Sequence, residues 1–141
     1  MTRHPALRPL SDEHHRELVH AQTLLQAAEL ESQERVAAAH TYVASFFAET
    51  VGHFRREEEE LFPLYVRHAG STAMLDRILL EHMQLHGLVR ALRAEAAAGD
   101  VTPDTLRALG NLLDDHVRVE ERELIEEIQR VVPAKELEAL G

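Results

Sequence analysis

The chain has no cysteine, which removes disulfides, thiolate zinc sites and cysteine-held iron–sulfur clusters from consideration. It has no tryptophan and only four phenylalanines and two tyrosines, so Leu, Ala and Val must fill the interior. Six glycines and five prolines fall at a few discrete places, which favours long helices over sheet. No apolar run approaches the ~20 residues needed to span a bilayer. Met1 to Pro9 carries arginines with no hydrophobic stretch behind them and does not read as a signal peptide, so the expectation is a cytoplasmic protein without a membrane partner. Basic residues are also in deficit. Fifteen Lys and Arg against 25 Asp and Glu leave a formal charge of -10, which opposes non-specific nucleic-acid binding. No Gly-rich loop cradles phosphate, and no pairing of nucleophile with general base suggests a hydrolase.

What is abundant is histidine, with ten in 141 residues and no tag-like run to account for them. The length suits one domain with a single core. Leu10, Ser11 and Asp12 read as a helix start with Ser11 as N-cap, and Leu18, Leu25 and Leu30 follow at helical spacing. Ser32 opens a second helix carrying Val36, Val43, Phe46, Phe47 and Phe54 to Leu61-Phe62-Pro63 or slightly beyond. Gly70 and Ser71 pair a helix stop with a new N-cap. The third helix puts Leu75, Leu79, His82, His86 and Val89 on one stripe and ends near Gly99-Asp100. Pro103 sits in the first turn of a fourth, which carries Leu106, Leu109, Leu113, His116, Glu120 and Leu124 and stops at Val131-Val132-Pro133. The expected fold is all-α, an antiparallel up-down-up-down four-helix bundle over 11–132, with an N-terminal arm at 1–10 and a short helix or tail at 133–141.

The halves echo one another. His53-x-x-x-Glu57-Glu58-x-x-Leu61-Phe62 matches His116-x-x-x-Glu120-Glu121-x-x-Leu124-Ile125. Aligning His15-x-x-Leu18 with His82-x-x-Leu85 extends the match and selects His15 over His14. A duplicated helical hairpin gives a bundle with pseudo-two-fold symmetry. Residues four apart share a helix face, so His53 with Glu57, His82 with His86, and His116 with Glu120 point the same way, among leucines. Buried polar groups cost several kcal/mol each unless partnered, and divalent metals would satisfy them together. Imidazole suits iron, zinc and copper alike.

This pattern resembles the hemerythrin-like, or HHE cation-binding, proteins. The resemblance rests on His15, on His53-x-x-x-Glu57-Glu58-x-x-Leu61-Phe62-Pro63, on Glu81-His82-x-x-Leu85-His86 and on His116-x-x-x-Glu120, over roughly residues 10 to 130. It implies two non-haem irons with an oxo or hydroxo bridge. His82, His86 and His116 would hold one, His15 and His53 the other, and Glu57 and Glu120 would bridge. It also implies a position open to dioxygen or another small diatomic ligand, in a carrier, a sensor, or a protein handling iron or reactive oxygen and nitrogen species. Hemerythrins proper place the fourth-helix carboxylate five residues after its histidine, where Glu121 stands; a helix puts Glu120 on the histidine's face, and Glu120 is the choice.

Other readings are weighed against this one. A zinc or manganese bundle without oxygen chemistry uses the same donors. A ferritin-like oxidase needs Glu-x-x-His on two helices, and only Glu17-x-x-His20 supplies one. A histidine phosphotransfer domain needs a lysine beside its histidine, and His86-Gly87 lacks it. Arg55, Arg56, Glu58 and Glu59 read as a solvated face, and Glu49 as a surface salt-bridge partner.

Overall fold

Helix termination in this chain is a matter of a few residues, and they divide it into four long helices. The computed structural model describes residues 2–140. A 3-10 turn, Pro5–Leu7, leads into helix α1, Arg8–Ala27. Helix α2 runs through 32–69 without a break, α3 is Ala73–Ala97, α4 runs through 103–131, and a short α5 is Ala134–Glu138. Gly70 and Gly99 take positive φ, 71° and 73°, where a side chain would be strained, and end α2 and α3. Thr72 and Thr102 cap the following helices, accepting from the backbone N–H groups of Leu75 and Thr105. Among the described residues there is no strand, and no helix is long and apolar enough to cross a membrane.

Several expected boundaries move. Helix α1 starts three residues before Ser11, because Leu7 and Leu10 are both buried and carry the helix back onto the core. Ser11 is no cap; its hydroxyl donates to Glu121 at 2.6 Å. The cap of α3 is Thr72 rather than Ser71. Helix α2 passes Pro63 and continues to Ala69. Proline inside a helix normally loses a hydrogen bond and clashes with the carbonyl four residues back. Here a wide π-helical turn, Glu57–Leu61, precedes Pro63 and has already shifted the bonding pattern, with the Phe62 N–H reaching back to the Glu57 carbonyl.

Helix α1 packs along α4, α2 along α3 and α3 along α4. Their inner faces form two apolar clusters. One holds Leu24, Phe46, Leu85, Val89, Leu92, Leu106, Leu109 and Leu113, and the other holds Leu10, Leu61, Tyr65, Ile78, Leu124 and Ile128. Each helix crosses from one cluster to the other through a buried polar residue: His14 in α1, His53 and Glu57 in α2, His82 in α3, His116 and Glu120 in α4. A polar slab therefore divides the core.

Candidate metal centre

The slab is built by two π-helical turns. Glu57–Leu61 in α2 and Glu120–Leu124 in α4 each begin on the glutamate that follows a histidine by four. In each, the wide turn keeps both the glutamate and the leucine four residues on within the core. Such turns occur mostly as single insertions at functional sites. Both glutamates are 0% exposed.

The two carboxylates span the slab. Glu57 Oε2 faces His53 Nε2 at 3.2 Å and His14 Nε2 at 3.3 Å, while its Oε1 faces His82 Nε2 at 3.4 Å. Glu120 Oε2 faces His116 Nε2 at 3.1 Å and its Oε1 faces His14 Nε2 at 3.5 Å. Ligand atoms of His14, His53, Glu57 and Glu120 lie within 4.8 Å of one another, as do those of His82, His116 and Glu120. Both carboxylates thus reach toward two pairs of imidazoles, as bridging ligands would.

On its outer nitrogen every one of these histidines meets a further glutamate. Nδ1 donates to Glu121 from His14 at 2.6 Å, to Glu13 from His53 at 3.0 Å, to Glu58 from His82 at 2.6 Å and to Glu81 from His116 at 2.9 Å. A carboxylate on Nδ1 leaves the Nε2 lone pair for a cation and fixes the ring's direction. Phe54 adds a steric wall, stacking on the His82 ring at 3.9 Å.

The inner atoms have no such partners. Among the described residues, Nε2 of His14, His82 and His116 and both oxygens of Glu57 and Glu120 are buried without a hydrogen bond. Left so, they would carry the desolvation cost of several charged groups at once. Their electrostatics show the crowding. Burial alone would push the His14 imidazole down, but Glu121 and Glu57 outweigh it and hold it up at about 9. Burial is likewise overcome at His53, which Glu57 and Glu13 raise, and at Glu57, which His53 and His14 drive well below the usual carboxylate range. At His116 burial prevails over Glu81 and the shift is downward. Glu13 and Glu121, despite partial burial, are held at about 2 by His53 with Arg56 and by His14 with Ser11. Metal cations fit this donor set, because they would convert these orphaned inner atoms into ligands.

Of the residues predicted from sequence, the structure brings His53, Glu57, His82, His116 and Glu120 together and leaves two outside. His15 is exposed, and His14 occupies the inner position. The buried arc of α1 runs Leu10, His14, Glu17, Ala21, Leu24, and His15 lies about 100° away from His14 around the helix. His86 is also exposed, with its ring against the edges of Phe46 and Phe54 at 5.2 and 5.8 Å. The buried arc of α3 runs Leu75, Ile78, Glu81, His82, Leu85, Val89, so Glu81 turns the helix inward on the side away from His86. Sequence reasoning chose His15 over His14, read Glu58 as solvated, set Glu121 aside, and gave Glu13 and Glu81 no part in orienting a histidine. The signal was the Glu-His dipeptide, present as Glu13-His14 and as Glu81-His82. Glu49 is exposed and faces His20 at 3.8 Å, a surface contact. His20 is half-buried and belongs to neither metal-ligating group, so the Glu17-x-x-His20 pattern contributes no ligand.

A family model described as the Hemerythrin HHE cation binding domain matches residues 8–128. No curated protein and no solved structure matches the chain.

Proposed function

The chain belongs to the hemerythrin HHE cation-binding family, and we propose from that premise that it is a non-haem diiron protein that binds or senses dioxygen, or handles iron and reactive oxygen or nitrogen species. His14 and His53 would hold one iron, His82 and His116 the other, and Glu57 and Glu120 would bridge them. His14 replaces the expected His15, and His86 has no place in the set. Each iron then has two imidazoles and two carboxylate oxygens, which leaves room for an oxo or hydroxo bridge and for an exogenous ligand. Bound iron would supply one-electron and dioxygen chemistry. The protein's own residues orient the imidazoles, neutralise the cations and keep bulk water out of the slab.

The observation that carries this reading is the set of orphaned atoms: three imidazole nitrogens and four carboxylate oxygens, all buried and aimed at one another. Hydrogen bonding could have satisfied them, and it does so only on the outer nitrogens.

The arrangement also supports a duplicated hairpin in an antiparallel bundle. Residues 68 apart in α1 and α3 are buried in pairs: Leu7 with Leu75, Leu10 with Ile78, His14 with His82, Ala21 with Val89, Leu24 with Leu92. Residues 63 apart in α2 and α4 do the same: Phe46 with Leu109, His53 with His116, Glu57 with Glu120, Leu61 with Leu124, Tyr65 with Ile128. The outer glutamates obey these offsets too, Glu13 with Glu81 and Glu58 with Glu121.

Anaerobic purification, metal quantification and visible spectra before and after admitting air test the reading. Two irons per chain with new ligand-to-iron charge-transfer bands are expected. Zinc or manganese with no colour change would replace iron chemistry with a structural metal site, and a metal-free, fully folded protein would end the proposal.

A further inference from the structure

The slab's two ends differ one helical turn away. Above His82 and His116, the offsets place Leu85 and Leu113, both buried and apolar. Above His14 and His53 the corresponding residues are Glu17 and Thr50, also buried, at 5% and 1% exposure. Thr50 Oγ1 donates to Glu17 Oε1 at 2.6 Å, and Glu17 Oε2 has no partner among the described residues. The Tyr42 hydroxyl, 4% exposed and on the same side of the slab, has none among them either. A π-helical turn, Phe46–Thr50, leads into Thr50, and the matching stretch of α4 is plain α-helix within Pro103–Val119. The fold therefore puts a backbone irregularity and an orphaned carboxyl oxygen at a place where leucines serve in the other half.

A buried unpaired carboxyl is costly and is retained where a ligand completes it. We propose that Glu17, aimed by Thr50, is the hydrogen-bonding partner of a small inorganic ligand held at the His14–His53 end of the metal centre. Glu17 lies three residues after His14 and Thr50 three before His53, which stacks their layer directly on that pair. Thr50 already donates to Oε1, so a proton on this carboxyl resides on Oε2, the free oxygen. Burial pushes the carboxyl up, against Thr50 and the imidazoles of His20, His53 and His14. Leu85 and Leu113 can offer a ligand nothing of this kind. The inference rests on the diiron reading above and adds to it the side chain that holds the ligand.

Azide is the probe, added to the iron-loaded full chain. Bound iron, azide affinity from the visible spectrum, and the azide stretching frequency in H2O and D2O are measured together. The wild-type stretch shifts in D2O because a protein proton is bonded to azide. Glu17→Leu, which copies the other half, retains two irons, binds azide about tenfold more weakly (about 1.4 kcal/mol) and loses the shift, since it removes a hydrogen bond to a charged partner. Glu17→Gln keeps a donor and most of the affinity. Wild-type azide affinity and an unchanged isotope shift in iron-replete Glu17→Leu would overturn the proposal. If Glu17→Leu fails to fold or to load iron, Thr50→Val decides: weakened azide binding supports the role of Glu17, and unchanged affinity and shift refute it. Wild-type protein that takes up no iron defeats the diiron reading itself, and this inference with it.

Discussion

Two of the seams between long helices, α1 on α4 and α2 on α3, are closed by different kinds of side chain. Where α4 crosses α1, Gly110 lies against Leu25 and the backbone of Ala21, so closely that a Cβ would stand 2.9 Å from Leu25 and 3.1 Å from the Ala21 carbonyl. The matching residue of α2 is Phe47, 63 before Gly110, and the match of Leu25 on α3 is Arg93, 68 after it. There the ring is 53% exposed and the Arg93 guanidinium lies over it at 5.7 Å. One seam is closed by glycine and the other is propped by an aromatic and a cation. The polar slab therefore lies among helices whose seams are closed by different means.

The largest effects should come from the side chains that reach both ends, Glu57 and Glu120. Glu57 faces His14, His53 and His82, so Glu57→Ala should empty both ends at once. Metal content should fall to a small fraction of wild type, and the melting temperature by on the order of 10 °C, because metal-binding free energy is folding free energy and each kcal/mol moves a domain of this size by roughly 2–4 °C. Retention of two metals by this variant would refute the bridge. His14→Ala and His15→Ala sharpen the same point, since only the first should release metal.

Next come the outer glutamates, which allow the two ends to be weakened separately. Glu121→Ala removes the partner of His14, and Glu58→Ala removes the partner of His82. Loss of such a partner costs about 10–100-fold in metal affinity. Competition with a chelator should show this loss for each variant, and larger for Glu121, because its carboxylate also accepts from Ser11 and Arg3 and is the less exposed of the two. Equal affinity to wild type in both would mean the rings are held by packing alone.

Much of this is legible in the order of residues alone, for a physical reason. Four helices follow from glycine and proline at discrete joints and from an apolar spacing of roughly 3.6 residues, and both are local signals. The pair His53/Glu57 with His116/Glu120 is legible because one turn of helix joins each histidine to its glutamate. His14 is not, because the choice between adjacent histidines depends on helix rotation, which is set by partners on α4. His86 misleads for the same reason: a spacing of four from His82 places it beside the inner stripe, and only the Glu81–His116 contact shows which way α3 turns. The π-helical turns that begin on Glu57 and Glu120 leave no mark in the sequence, since they depart from regular bonding where those two glutamates are buried.

The seams give a smaller effect that leaves the metals alone. Gly110→Ala must push α1 from α4 or displace Leu25, and overpacking of this kind costs about 1–3 kcal/mol. Thermal melting should register the loss at unchanged metal content. Gly87 is exposed and helical, and a methyl group placed there would meet nothing within 4 Å, so Gly87→Ala should raise stability by about 0.5–1 kcal/mol through helix propensity. If both substitutions proved neutral, the close approach at Gly110 would be no constraint.

The smallest effect belongs to the joints, and it comes with a pH signature. The α3–α4 joint is tied by Glu95, which accepts from the Thr102 N–H at 2.7 Å and the Thr105 hydroxyl at 2.5 Å, whereas α2 begins after Glu31 with no side-chain cap among the described residues. Burial would raise the Glu95 carboxyl, but Thr105 and Thr102 outweigh it and hold it below the usual carboxylate range. A carboxyl lowered in the folded state adds stability that is fully present above its unfolded value near 4.5 and is lost as pH falls through the folded one. Glu95→Gln should therefore melt slightly below wild type at neutral pH, by no more than a few degrees because the group is partly exposed. The gap should shrink as pH falls below the unfolded value near 4.5 and close once it passes the lowered folded one, where wild type loses the same charge. A gap that stays constant down to about pH 3 would assign the joint's stability to the threonines and not to the carboxylate.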